Sequence, residues 1–202
     1  GISIQNAAQS NLVGTDGDGV ADMFEGNVIS ANGGNGVSIW MEGTDHNVVA
    51  GNYIGTDVTG TVDLGNSGRG VSISDVSNNM IGGTNVGAGN TIAFNRGAGV
   101  SVTGAASGNR ISANAIFDNG ELGIDLDPRG ATANDPRDAD AGPNDLQNFP
   151  ALVSALSDSS NLVVRGVFNS TPATAFVVEM FSSASADSSG YGEGQTFLGS
   201  AA

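Results

Sequence analysis

Gly36-Val-Ser-Ile39 decides the fold, because it returns as Gly1-Ile-Ser-Ile4, Gly70-Val-Ser-Ile73, Gly99-Val-Ser-Val102 and Gly123-Ile-Asp-Leu126. Successive copies begin 35, 34, 29 and 24 residues apart, and a repeat of this period specifies an architecture before any single residue is read. Two further motifs fill each interval in a fixed order. The first is Asn11-Leu-Val13, Asn47-Val-Val49, Asn79-Met-Ile81 and Asn109-Arg-Ile111; the second is Asn27-Val-Ile29, Asn52-Tyr-Ile54, Asn90-Thr-Ile92 and Asn114-Ala-Ile116. Three of the latter extend to Asn-x-Ile-x-x-Asn, ending at Asn32, Asn95 and Asn119.

Strands this short leave no room for helices, and their alternation sets Val37 and Ile39 on one face and Ser38 and Trp40 on the other. A chain that turns a corner after every strand needs left-handed backbone angles, which Gly and Asn tolerate; the chain has 32 Gly in 202 residues. Asn in register on successive coils can also stack into a hydrogen-bonded ladder. The expectation is an all-β chain: a parallel β-helix of about five coils over 1–126, its coils stacked at about 4.8 Å around columns of Val, Ile and Leu. An antiparallel sandwich would not require three strand types in one order throughout.

Past Leu126 the pattern gives way to Pro- and Asp-rich sequence through Leu146-Gln-Asn-Phe-Pro150, so 127–150 reads as an acidic loop that caps the open helix end. Segments 151–156, 161–168, 175–181 and 195–199 read as longer strands between turns. Four strands fall short of the seven of an immunoglobulin-like sandwich, so 151–202 is expected to be an incomplete one. A start inside a repeat and an end after a strand point to a piece of something longer. Self-association through the open helix end or the sandwich edge is therefore expected.

Net charge is -15, with six Arg, one His, no Lys and no Cys. Such a surface repels nucleic acid and anionic lipid, and an anionic ligand would need a local exception. No apolar run is long enough to span a membrane, so insertion is not expected. The composition fits an extracellular or cell-surface protein.

The repeat resembles right-handed parallel β-helix proteins of the pectate-lyase-like superfamily. More narrowly, it resembles large secreted bacterial surface proteins that carry a CSLREA domain. The likeness rests on Gly51-Asn-Tyr-Ile-Gly-Thr-Asp57, Asn79-Met-Ile-Gly-Gly83, Asn27-Val-Ile-Ser-Ala-Asn32, Gly123-Ile-Asp-Leu126, the acidic stretch into Pro150 and Gly192-Glu-Gly-Gln-Thr-Phe-Leu-Gly199. It implies a right-handed helix, an extracellular location and a following sandwich module.

Candidate chemistry is sparse. Asp125 and Asp127 lie two apart on one strand, both outward, about 7 Å from each other, a spacing an inverting glycosidase uses. The matching outward positions on earlier coils, Ser101/Thr103, Ser72/Ser74 and Ser38/Trp40, offer hydroxyls instead of acids or a base. The hydrolase motifs of the superfamily are absent. Two Asp-rich turns have the character of Ca²⁺ loops. One holds Asp16, Asp18 and Asp22, with Glu25 out of register for an EF-hand. The other holds Asp135, Asp138, Asp140, Asn144 and Asp145; solvated turn acids are the alternative for both. Trp40 is a candidate for stacking on a glycan ring, or it packs under the excursion between Thr56 and Arg69. His46 reads as a turn residue. The expected function is a non-enzymatic structural or adhesive module, with a carbohydrate-active β-helix as the alternative.

Overall fold

A computed structural model describes residues 1–158 and 160–202. Each Gly-led copy is one strand of a five-stranded parallel sheet: β1 (Ile2–Ile4), β4 (Val37–Trp40), β7 (Val71–Ser74), β10 (Val100–Thr103) and β13 (Ile124–Leu126), in that order. The first Asn-led motif makes a second sheet, β2 (Leu12–Gly14), β5 (Val48–Ala50), β8 (Met80–Gly82) and β11 (Arg110–Ser112). The other makes a third, β3 (Val28–Ile29), β6 (Tyr53–Ile54), β9 (Thr91–Ala93) and β12 (Ala115–Phe117). All three sheets are parallel and none contains an α-helix. This is a right-handed β-helix.

Register keeps like on like. Val37 lies beside Val71 and Val71 beside Val100, while Ile39 lies beside Ile73 and Ile73 beside Val102. Val49 lies beside Ile81, and Ile54 beside Ile92. All of these side chains are fully buried and form one continuous core. Each contributes about 1.5–3 kcal/mol by leaving water. The Gly that opens each copy is a steric requirement: a Cβ on Gly70 would sit 2.5 Å from the Gly99 carbonyl oxygen and 2.5 Å from Ile92 Cγ2.

Corners are held by three asparagine ladders. Asn11, Asn47, Asn79, Asn109 and Asn144 form one; Asn27, Asn52, Asn90 and Asn114 the next; Asn32, Asn66, Asn95 and Asn119 the last. In each, the backbone N–H and side-chain Nδ2 of one rung donate to Oδ1 of the next coil's rung, at 2.7–3.4 Å. Left-handed backbone falls on Gly, as at Gly14, Gly55 and Gly82, and also on non-Gly residues just before many of the rungs, Ser10, Ala31, His46, Asn78, Phe94, Ala113 and Asp118, whose φ lies between 52° and 61°. The bend aims the following Asn inward, and the Asn amide satisfies the backbone that the bend leaves unpaired.

Residues 151–202 form two antiparallel hairpins, β14 (Ala151–Ser157) with β15 (Leu162–Val167), and β16 (Val178–Ser182) with β17 (Thr196–Ala201). Closure of the helix is shared. Asn144 of the acidic loop is the last rung of the first ladder, and its N–H donates to the Ala106 carbonyl at 2.7 Å. The Glu193 carboxylate receives the N–H and Nδ2 of Asn119 at 3.2 and 3.1 Å, taking the place of a fifth rung. The Gly194 carbonyl accepts the Ile116 N–H at 2.8 Å, and Glu179 accepts from the Ser112 hydroxyl and, at 2.8 Å, from the Ala113 N–H. The cap is thus built partly from residues beyond the loop expected to supply it.

Candidate functional site

The outer face of the five-stranded sheet carries the chemistry. Its central column is Ser3, Ser38, Ser72, Ser101 and Asp125, set side by side by the strand register. Asp125 is only 2% exposed, because the chain beyond β13 folds over it and the Gly130 N–H donates to its Oδ1 at 3.1 Å. Burial raises its pKa above the ordinary carboxylate range. The Gly130 hydrogen bond opposes this, Glu121 reinforces it, Arg69 opposes it and Asp127 adds to the rise. Asp127 is exposed. The expected pair of solvent-facing carboxylates is therefore not present as such. One acid is buried beneath the segment that follows it, and the other faces solvent.

Trp40 does not lie under the 56–69 excursion. That segment packs on the third sheet, where Gly60 approaches Tyr53 and Thr91. The indole Nε1–H instead donates to Ser3 Oγ at 3.0 Å, which fixes the ring along the outer face, 39% exposed. A depression of about 410 Å³ opens beside it, lined by Ser3, Asn35, Ser38, Trp40, Ser72 and Ser74. Asn35 also borders a neighbouring depression of about 270 Å³, lined by Arg69, Arg96, Arg129 and Glu121 among others. Sequence reading passed over these arginines. Arg69 and Arg96 sit in turns after rungs of the third ladder and Arg129 in the loop after β13, and no motif flags a turn residue until the coils are stacked.

The acidic turns resolve into two triads. Asp16, Asp22 and Glu25 each bring a carboxylate oxygen within 4.8 Å of the others, as do Asp135, Asp138 and Asp140. Asp18 is outside the first triad: its Oδ1 accepts the Val20 N–H at 2.7 Å, and Glu25 takes its place. Asn144 is a ladder rung, so its amide oxygen is committed to Asn109. Asp145 is exposed and outside the triad. Most of the remaining oxygens hold the turns. Asp138 accepts the Asn148 N–H at 2.7 Å and the Ser170 hydroxyl at 2.6 Å, and Asp135 accepts the Ala139 N–H. Buried Asn148, also missed in the sequence, ties this loop to Asn169. Oδ1 of Asp22 and of Asp140 are buried without a partner. Partial desolvation, reinforced by the neighbouring Asp135 and Asp138 carboxylates, raises the pKa of Asp140.

Soft and imidazole donors are few. There is no Cys, and His46 is the bent corner residue before Asn47, in no cluster of three acidic or imidazole donors among the described residues. The four Met stand at 23, 41, 80 and 180, in a 3-10 turn, the turn after β4, β8 and β16.

Among the described residues, no helix is long and apolar enough to cross a membrane. Comparison with curated proteins and with solved structures gives no match. A protein-family model described as "Periplasmic copper-binding protein (NosD)" matches residues 2–133, the β-helix and the start of the loop that follows it. That match covers well over half of the chain and coincides with its stacked parallel coils: the protein belongs to the NosD family.

Proposed function

We propose that this chain is a non-enzymatic periplasmic or extracellular rod, a structural or adhesive module whose coils present a hydroxyl-rich face. One observation carries the reading. Across five coils the central outward column is Ser, Ser, Ser, Ser and Asp, with Ser72, Ser101 and Asp125 buried and Ser3 and Ser38 more open, so no acid and base meet on adjacent coils of the sheet. The likeness to CSLREA-type surface proteins fits it. Self-association belongs to the same reading, because β1, β2 and β3 each stand at a sheet edge with unpaired backbone groups. Incubation with a panel of plant and bacterial polysaccharides, followed by reducing-end and unsaturated-product assays, tests it. No turnover above a heat-denatured control is expected; turnover abolished by Asp125→Asn would overturn the reading.

Copper, named in the family description, does not suit the donors present. Copper sites draw on imidazole, thiolate and thioether; this chain has one His and no Cys, and among the described residues that His joins no cluster of three acidic or imidazole donors, whereas carboxylate oxygens suit Ca²⁺ or Mg²⁺. A second reading therefore has Ca²⁺ at Asp135, Asp138 and Asp140, and a weaker site at Asp16, Asp22 and Glu25. Its support is the partnerless oxygen in each triad and the crowding felt by Asp140. Added Ca²⁺ is expected to raise the melting temperature and EDTA to reverse the gain; an unchanged melt in both would rule it out.

A further inference from the structure

Arg69 and Arg96 occupy the turns that lead into β7 and β10 on successive coils, two register positions out of step: Gly97 N–H donates to the Gly68 carbonyl, so Arg96 lies beside Ser67 and Arg69 beside Ala98. Arg69 is held in place. Its backbone N–H donates to Asn35 Oδ1 at 2.9 Å, and its stem lies over Gly97 of the next coil, where a Cβ would come within 3.0 Å of Arg69 Cγ. Among the described residues neither guanidinium makes a hydrogen bond or an ion pair. Glu121, the one carboxylate lining that depression, is taken by Arg129. Arg69 also feels the buried Asp125, whose raised pKa it partly offsets, but forms no ion pair with it, so an oxyanion placed between the two guanidiniums would match their planar donors.

The adjoining depression supplies a different chemistry. Asn35 borders both, and beyond it lie the hydroxyls of Ser3, Ser38, Ser72 and Ser74 and the pinned indole of Trp40. Ser74, the strand partner of Trp40, lies five steps of extended chain beyond Arg69, so the cationic and aromatic ends are roughly 16 Å apart. A flat ring surface, a floor of hydroxyls and a cationic end together describe a binding site for a sugar chain bearing an acid group. The overall negative charge disfavours a dense polyanion, which leaves a short or sparsely charged one.

We propose that this groove binds an oxyanion-bearing oligosaccharide, its carboxylate or sulfate on Arg69 and Arg96 and a sugar ring against Trp40. The proposal rests on the scaffold reading only in that the ligand is held and not cut; a cleaved ligand would defeat that reading and leave the site standing. Calorimetric titration with an oligouronate, a sulfated oligosaccharide and a neutral oligosaccharide of equal length tests it. The whole chain, Arg69→Gln/Arg96→Gln and Trp40→Ala are compared, each first checked for an unchanged melt. At least one charged ligand is expected to bind, about tenfold or more tightly than the neutral one, with the double variant losing that margin. Added salt should weaken only the charged complex, and Trp40→Ala should weaken it as well. Failure of both charged ligands to bind, equal binding of the neutral one, or wild-type affinity in the double variant would overturn the proposal.

Discussion

Asn52 shows what one residue does in this fold. Its Oδ1 accepts from the N–H and Nδ2 of Asn27, while its own Nδ2 donates to Val13 O, Ala50 O and Asn90 Oδ1, all in a buried corner. Asn52→Ala leaves several of these groups without partners, at about 1–3 kcal/mol for each buried group. A loss of about 3 kcal/mol or more in urea unfolding is expected, several times that of an exposed Asn134→Ala change. The ladder Asn could be read from the sequence because they recur with the strands. The bends before them could not, because a left-handed residue carries no signature when it is Ser10, Ala31, His46 or Phe94. Ala31, exposed at φ 57°, therefore gives an inverted test. Ala31→Gly should hold or raise stability by up to about 1 kcal/mol, whereas the same change at a right-handed site lowers it.

At the level of elements, every Asn-led strand was legible, and the excursion after β6 was what hid a rung. It separates Ile54 from Asn66, so the Asn-x-Ile-x-x-Asn motif is broken on that coil although the ladder is not. The cap was only half legible. Glu193 closes the third ladder at Asn119 and Glu179 holds Ser112 and Ala113 beside the second, each more than sixty residues away in the chain, and nothing local marks either as a cap. Burial raises the Glu193 carboxyl above the ordinary range; the Asn119 hydrogen bonds oppose the rise, and Asp187 and Asp118 add to it. A carboxyl with a higher pKa folded than unfolded takes up a proton on folding between the two values. Stability therefore rises as pH falls through the folded pKa and declines as pH rises through it. The wild type should show this slope above the ordinary carboxylate range, and Glu193→Gln should lose its share. Melting temperatures of the two proteins across that range measure the difference, and parallel curves would contradict the assignment.

For the whole molecule, the repeat announced the coils and the core, since both follow from periodic positions. The arginine pair, the acid triads in their final membership and the docking of Glu179 and Glu193 depend on which coil lies above which, and only stacking sets that. The central claim is that three asparagine ladders and one continuous core make the coils a single stiff body. Residue-resolved hydrogen exchange tests it most directly at the N–H groups of Asn47, Asn52, Asn66, Asn79, Asn90 and Asn95, each of which donates to the next coil. Stacked units exchange neighbour by neighbour when their interfaces are weak and together when these are strong. These six amides are expected to exchange together, at the slow rate of global unfolding. Exchange of the middle-coil amides as fast as the Asp57–Val62 turn would contradict the rod.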